Sequence, residues 1–167
     1  HGYENSTSAN PTFRRTKAEQ KLDFDRGIAA AENAGIAFTA FNPPSNAMNT
    51  DTVDLINEYY PNFKAVMTLT DGGGYGWNLI GATELFNNIK VEPSATGETD
   101  TVENLKTKWN AKAAASNYIM LQAHPAGWAS YDGSADRFKE FLLWLKSEGV
   151  VFMTPTEYAT YAESIAD

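Results

Sequence analysis

Two imidazoles, a few loop aromatics and a few loop carboxylates hold most of the chemistry open to this chain. It has two histidines, His1 and His124, and no cysteine. A thiol nucleophile, a disulfide framework and cysteine-bound zinc are therefore excluded. His124 follows Leu121-Gln122-Ala123 at the end of an apolar run and precedes Pro125. Imidazole is the side chain most readily tuned for proton transfer near neutral pH, and loops at strand ends carry sites disproportionately. The plainer reading is a strand-end histidine making one structural hydrogen bond. His1 and Asn5 form a His-x-x-x-Asn pair, which offers a metal one imidazole and one amide oxygen, the latter a weak zinc ligand. Trp77 and Trp128 fall in turn-rich segments, where an indole either packs locally or stacks on a sugar face. Asp71 and Asp132 share those segments, and turn formation is their simplest role. Gly72-Gly73-Gly74 lacks the following Lys-Ser/Thr of a phosphate loop.

Alternating helices and apolar strands must position these groups. Thr16 with Glu19 is a capping box, Phe24, Ile28 and Ala31 share a helical face, and Gly35 stops the run. Residues 36–41 read as a buried strand, broken by Pro43-Pro44. The unit then repeats. Thr50 or Asp51 is expected to cap a helix bearing Val53, Ile56 and Tyr60, Pro61 ends it, and 63–69 form the next strand. Residues 89–91 read as a short strand, Thr99 or Asp100 as the cap of a helix bearing Val102, Leu105 and Trp109, and 118–123 as a strand. Phe138, Phe141, Leu142 and Leu145 mark an amphipathic helix ended by Gly149. Residues 150–153 read as a last strand, and Pro155 opens a helix aligning Tyr158, Tyr161 and Ile165. Apolar strands alternating with helices predict an α/β fold with a parallel sheet, as a single domain over 1–167. Ligands in such folds sit at the carboxyl ends of strands. Asn42-Pro43-Pro44, Asp71-Gly72 and His124-Pro125 all fall there.

Composition narrows the partners. The 167 residues carry 21 acidic and 13 basic side chains, a net charge of −8. That disfavours non-specific nucleic-acid binding, which needs Lys and Arg to neutralise phosphates. Apolar residues make up 43% and charged residues 20%, the balance of a globular chain. No apolar run approaches the roughly 20 residues that span a bilayer. Asn5-Ser6-Thr7 is a formal glycosylation sequon.

In order, His1-Gly2-Tyr3-Glu4-Asn5-Ser6-Thr7, a helix, a strand into Phe41-Asn42-Pro43-Pro44, and Leu121-Gln122-Ala123-His124-Pro125 resemble the landmarks of the polysaccharide deacetylase (NodB-homology) domain. The resemblance covers almost the whole chain. It implies a distorted (β/α) barrel, an extracellular or cell-surface location, and a polysaccharide or oligosaccharide substrate. It implies metal-dependent removal of N-acetyl groups, as a hydrolase of carbon–nitrogen bonds other than peptide bonds, or of O-acetyl groups. In that family a divalent metal, usually zinc, is held by one Asp and two His and activates water. By position, His1 resembles the first metal histidine, and Asn5 stands where the second is expected. His124 resembles the catalytic acid. Asn42 stands where an arginine often orients the catalytic aspartate, Pro44 belongs to the same motif, and Ser45 stands where a backbone amide helps hold the oxyanion. With Trp77 and Trp128 they form the expected substrate-binding set.

The family's Thr-Phe-Asp-Asp motif would lie upstream of His1. The resemblance therefore implies the C-terminal two-thirds of such a barrel, with the first strand missing and a sheet edge exposed. With Asn5 in place of a histidine, the chain as given is expected to bind zinc weakly and to hydrolyse little. General base catalysis alone is worth about 10²–10⁴-fold. A non-catalytic carbohydrate-binding relative is the alternative. A remoter one is a copper-dependent lytic polysaccharide monooxygenase, its metal clamped by the terminal amine, His1 and His124. Those enzymes are β-sandwiches, and the helical stretches here argue against it.

Overall fold

Helix caps set the element boundaries. The computed structural model describes residues 15–44, 48–68, 76–91, 101–123 and 133–166. Thr16 caps α1 (Lys17–Asn33): its side chain accepts from the Glu19 N–H, and the Glu19 carboxylate accepts from the Thr16 N–H at 2.8 Å. At the other end Gly35, at φ 73°, donates to the Glu32 carbonyl, and the Ile36 N–H reaches back to Ala31. This is a Schellman closure, which needs the positive φ that glycine adopts without strain.

The next caps differ from the expected ones. α2 (Thr50–Tyr59) is capped by Asn49, not Thr50 or Asp51, with the Asn49 Oδ1 accepting from the Thr52 N–H at 3.0 Å. α3 (Val102–Ala113) is capped by Thr101, not Thr99 or Asp100, through the Asn104 N–H. Neighbouring Asn, Asp and Thr residues are all competent caps, so the type alone did not choose among them. α4 (Ser134–Ser147) carries Phe141 and Leu145 inward. α5 (Pro155–Ile165) starts from Thr154 with Pro155 in its first turn and Glu157 completing a capping box.

The strands are parallel throughout. β1 (Ala40–Phe41), β2 (Ala65–Met67) and β3 (Thr83–Leu85) form one sheet in that order. β4 (Asn88–Val91) pairs with β5 (Met120–Ala123) in register Asn88 to Met120 through Val91 to Ala123. β1-α2-β2 and β4-α3-β5 are thus two parallel crossover units, in keeping with the α/β pattern of the sequence. The strand expected over 36–41 is confined to 40–41. The Ile36 N–H is used by the helix closure, and Pro61 and Asn62 form a turn before β2, so among the described residues 36–38 have no strand beside them. The strand expected over 150–153 is absent. Val150 donates to Leu145 in the closure of α4, Thr154 caps α5, and the three residues between them are exposed and irregular. β3 was not expected at all: its Thr-Glu-Leu carries one apolar residue and no alternation.

The described residues group into two compact units. One contains α1, β1, α2, β2, β3 and α5; the other contains β4, α3, β5 and α4. The first is built on Phe24, Phe41, Leu55, Ile56, Tyr60, Phe63 and Val66. Phe24 meets Phe41 edge-on at 4.8 Å and Tyr60 at 5.2 Å, the geometry that suits the ring quadrupoles. A buried polar bridge ties α1 to the start of α2: Thr52 Oγ1 donates to Gln20 Oε1 at 2.6 Å, and Gln20 Nε2 donates to Asn49 Oδ1 at 3.3 Å. The second unit is built on Ile89, Val91, Leu105, Phe141 and Leu145. No helix among the described residues is long and apolar enough to cross a membrane.

One pair in the first unit makes its stability depend on pH. Tyr60 donates its hydroxyl to Asp25 Oδ1 at 2.8 Å. Burial, and then this bond, push the Tyr60 phenol well above its ordinary range. The Asp25 carboxyl is held below the usual carboxylate range, first by the Lys21 ammonium at 2.7 Å and also by Tyr60. A lowered carboxyl contributes stability above its unfolded pKa of about 4, lost as pH falls through the folded value; a raised phenol contributes below about pH 10, lost as pH rises beyond it. Tyr60→Phe is expected to cost about 1 kcal/mol at pH 7. The gap from wild type should narrow below about pH 4, as Asp25 loses its charge. Urea unfolding at both pH values checks this, and a gap independent of pH would contradict it.

Candidate functional site

In the first unit, polar side chains lie just beyond β1 and β2 and within β3. Asn42 follows β1 directly. The residue is partly exposed, yet its Oδ1 is buried and has no hydrogen-bond partner among the described residues. Pro43 is fully buried and Pro44 buried. Two prolines in succession fix the backbone beyond Asn42 and contribute no N–H. Pro44, expected to line the substrate, thus supplies rigid backbone more than accessible surface. A buried acceptor left unpaired costs about 1–3 kcal/mol. Such atoms call for an explanation, of which a ligand-binding role is one.

A second arrangement sits on β2 and β3. Thr68, fully buried just beyond β2, donates its hydroxyl to Glu84 Oε1 at 2.7 Å. The other carboxylate oxygen of Glu84 accepts from the backbone N–H groups of Gly76, at 3.1 Å, and Trp77, at 3.3 Å. The carboxylate is a clasp that ties the segment carrying Trp77 to the middle of β3. Charge-assisted bonds to backbone amides are among the stronger hydrogen bonds, so the Trp77 backbone is held in place. The Trp77 side chain is partly exposed. Register places Glu84 beside Val66, and Val66 beside Phe41, the residue before Asn42. Asn42 and Trp77 thus belong to one unit: Asn42 follows β1, and the Trp77 backbone is tied through Glu84 to β3, with β2 between those two strands.

In the second unit β5 ends at Ala123, and His124 is the next residue in the chain. His124 lies outside the described residues, as do His1, Asn5, Ser45, Asp71, Trp128 and Asp132. What the structure describes is the strand leading to His124. On it, Gln122 accepts at Oε1 from Asn88 Nδ2 on β4 at 3.0 Å. Asn88 is 3% exposed, and its Oδ1, like that of Asn42, is buried without a partner among the described residues.

Of the candidates named from the sequence, Asn42, Pro44 and Trp77 lie among the described residues; Glu84, Thr68, Asn88 and Gln122 were not named as candidates. A carboxylate or amide inside a three- or four-residue strand was the available signal, and it is faint, because the same residue on a solvated strand face reads identically. Among the described residues no group of three or more His, Cys, Asp or Glu side chains is placed to hold a metal ion. Comparison of the chain with protein-family models, with characterised proteins and with solved structures finds no match.

Proposed function

We propose that this chain is a carbohydrate deacetylase-like domain, part of a distorted (β/α) barrel of the polysaccharide deacetylase type, acting on an acetylated polysaccharide outside the cell or at its surface. The observation that carries the reading is Asn42. It stands at the position the motif resemblance assigns to the substrate site, just beyond a parallel strand, with a buried oxygen that has no donor among the described residues. By the motif resemblance Asn42, Ser45, Trp77 and Trp128 are the sugar-binding residues, and His124 gives the proton that the departing amine or alcohol requires. A divalent metal would supply activated water in such a site. The donors that the motif places in this chain, one imidazole from His1 and one amide oxygen from Asn5, fall short of the three protein ligands a catalytic zinc takes. No step here is routed through a metal.

Asn5 in the second ligand position favours a second reading, a carbohydrate-binding relative that has lost hydrolysis. One experiment separates the two. The chain is titrated with the N-acetylglucosamine tetramer and with acetylated xylo-oligosaccharide, with zinc added, and both heat and released acetate are followed. Binding with slow acetate release is the expected result. Binding without release supports the second reading, and no binding to either sugar overturns both.

A further inference from the structure

One face of the β4–β5 pair carries a polar arrangement that apolar burial would not select. Ile89, Val91, Leu121 and Ala123 all join the apolar core of the second unit. Strand alternation puts Asn88, Lys90, Met120 and Gln122 on the opposite face, where register sets Lys90 against Gln122. Asn88 is almost wholly buried there; among the described residues its Oδ1 has no partner, and its Nδ2 donates to Gln122 Oε1. A valine or isoleucine at 88 would fill a strand position without stranding an oxygen. The amide that is present instead donates to Gln122 Oε1, which fixes the Gln122 oxygen toward β4 and turns Nε2 away from Asn88.

We propose that Gln122 is a sugar-binding residue and that Asn88 is the positioning residue that aims it. Asn88 holds the Gln122 carboxamide with its oxygen toward β4, so that Nε2 is presented to a carbonyl or hydroxyl oxygen of a neutral, acetylated sugar. An amide already held in one rotamer loses less freedom when a ligand arrives, and that preorganisation appears as affinity. The locally unfavourable Asn88 is then the kind of inconsistency expected beside a binding site. This inference rests on the carbohydrate reading above.

Calorimetric titration with the N-acetylglucosamine tetramer, paired with thermal unfolding, tests it. Asn88→Val is expected to raise Tm by about 2–4 °C, because the unpaired oxygen is gone, and to weaken tetramer binding about fivefold. Gln122→Ala is expected to weaken binding about tenfold, and the double variant no more than Gln122→Ala alone, since Asn88 acts through Gln122. Gln122→Glu keeps the bond from Asn88 and the side-chain size but removes the donor. It should lose as much affinity as Gln122→Ala without disturbing position 88. Affinities unchanged in Asn88→Val and Gln122→Glu, with wild type binding the tetramer, overturn this inference alone. So do additive losses in the double variant. A wild-type chain that does not bind the tetramer overturns the carbohydrate reading with it.

Discussion

Replacing His124 by alanine is expected to cut acetate release from an N-acetylated oligosaccharide by about 10²–10⁴-fold, with sugar affinity unchanged. An amine leaves a tetrahedral intermediate poorly unless it is protonated as the bond to carbon breaks. His124 is one of two histidines in the chain and directly follows the last residue of β5. A structural histidine would behave otherwise. Its loss would lower Tm and affinity together. Rates and titration heats measured on the same preparations distinguish these outcomes.

Phe141→Ala is expected to destabilise the second unit by about 3–5 kcal/mol, against about 0.5 kcal/mol or less for Leu143→Ala. Phe141 is fully buried on α4, stacks on Trp144 at 5.9 Å and meets Trp109 of α3 edge-on at 6.4 Å. Removing the ring takes away its transfer energy and leaves a cavity between α3, α4 and β4. Leu143, two residues on, is 58% exposed and serves as the control. Whole domains are stable by only about 5–15 kcal/mol, so the loss is a large share of the total. It acts on the unit that holds the Asn88–Gln122 pair and the strand leading to His124. Urea unfolding measures it, and the emission of Trp109 and Trp144 should shift to the red as their packing loosens. Equal effects from the two substitutions would contradict this account of the core.

The parts of the fold legible in the sequence were those fixed by local chemistry. Thr16 with Glu19 announced α1, Gly35 and Gly149 announced two helix closures, and the apolar spacing of Phe141 and Leu145 announced the buried side of α4. What was illegible depended on partners distant in the chain. Ile36 and Phe38 look like strand residues, but β2 has nothing opposite them, because Pro61 turns the chain away. Residues 151–153 look the same and are spent connecting two caps. Thr83-Glu84-Leu85 looks like nothing, yet pairs because β2 lies beside it. The site divides in the same way. Asn42 was legible from its place after a strand and before two prolines. Glu84 was not, since its function as a clasp depends on Thr68 and on the amides of Gly76 and Trp77. Asn88 and Gln122 gain meaning only from the register that brings them together.

The central claim is that the polar strand ends recognise an acetylated sugar. Its most direct test is the affinity of the chain for the N-acetylglucosamine tetramer, compared with the same tetramer stripped of its acetyl groups. The comparison is made in about 0.5 M salt, so that attraction between a chain of net charge −8 and a cationic sugar is screened. The account predicts that the acetylated tetramer binds about tenfold or more tightly, because a donor such as Gln122 Nε2 loses its acceptor when the acetyl carbonyl is removed. Equal affinity for the two sugars, or no binding of either, would contradict it.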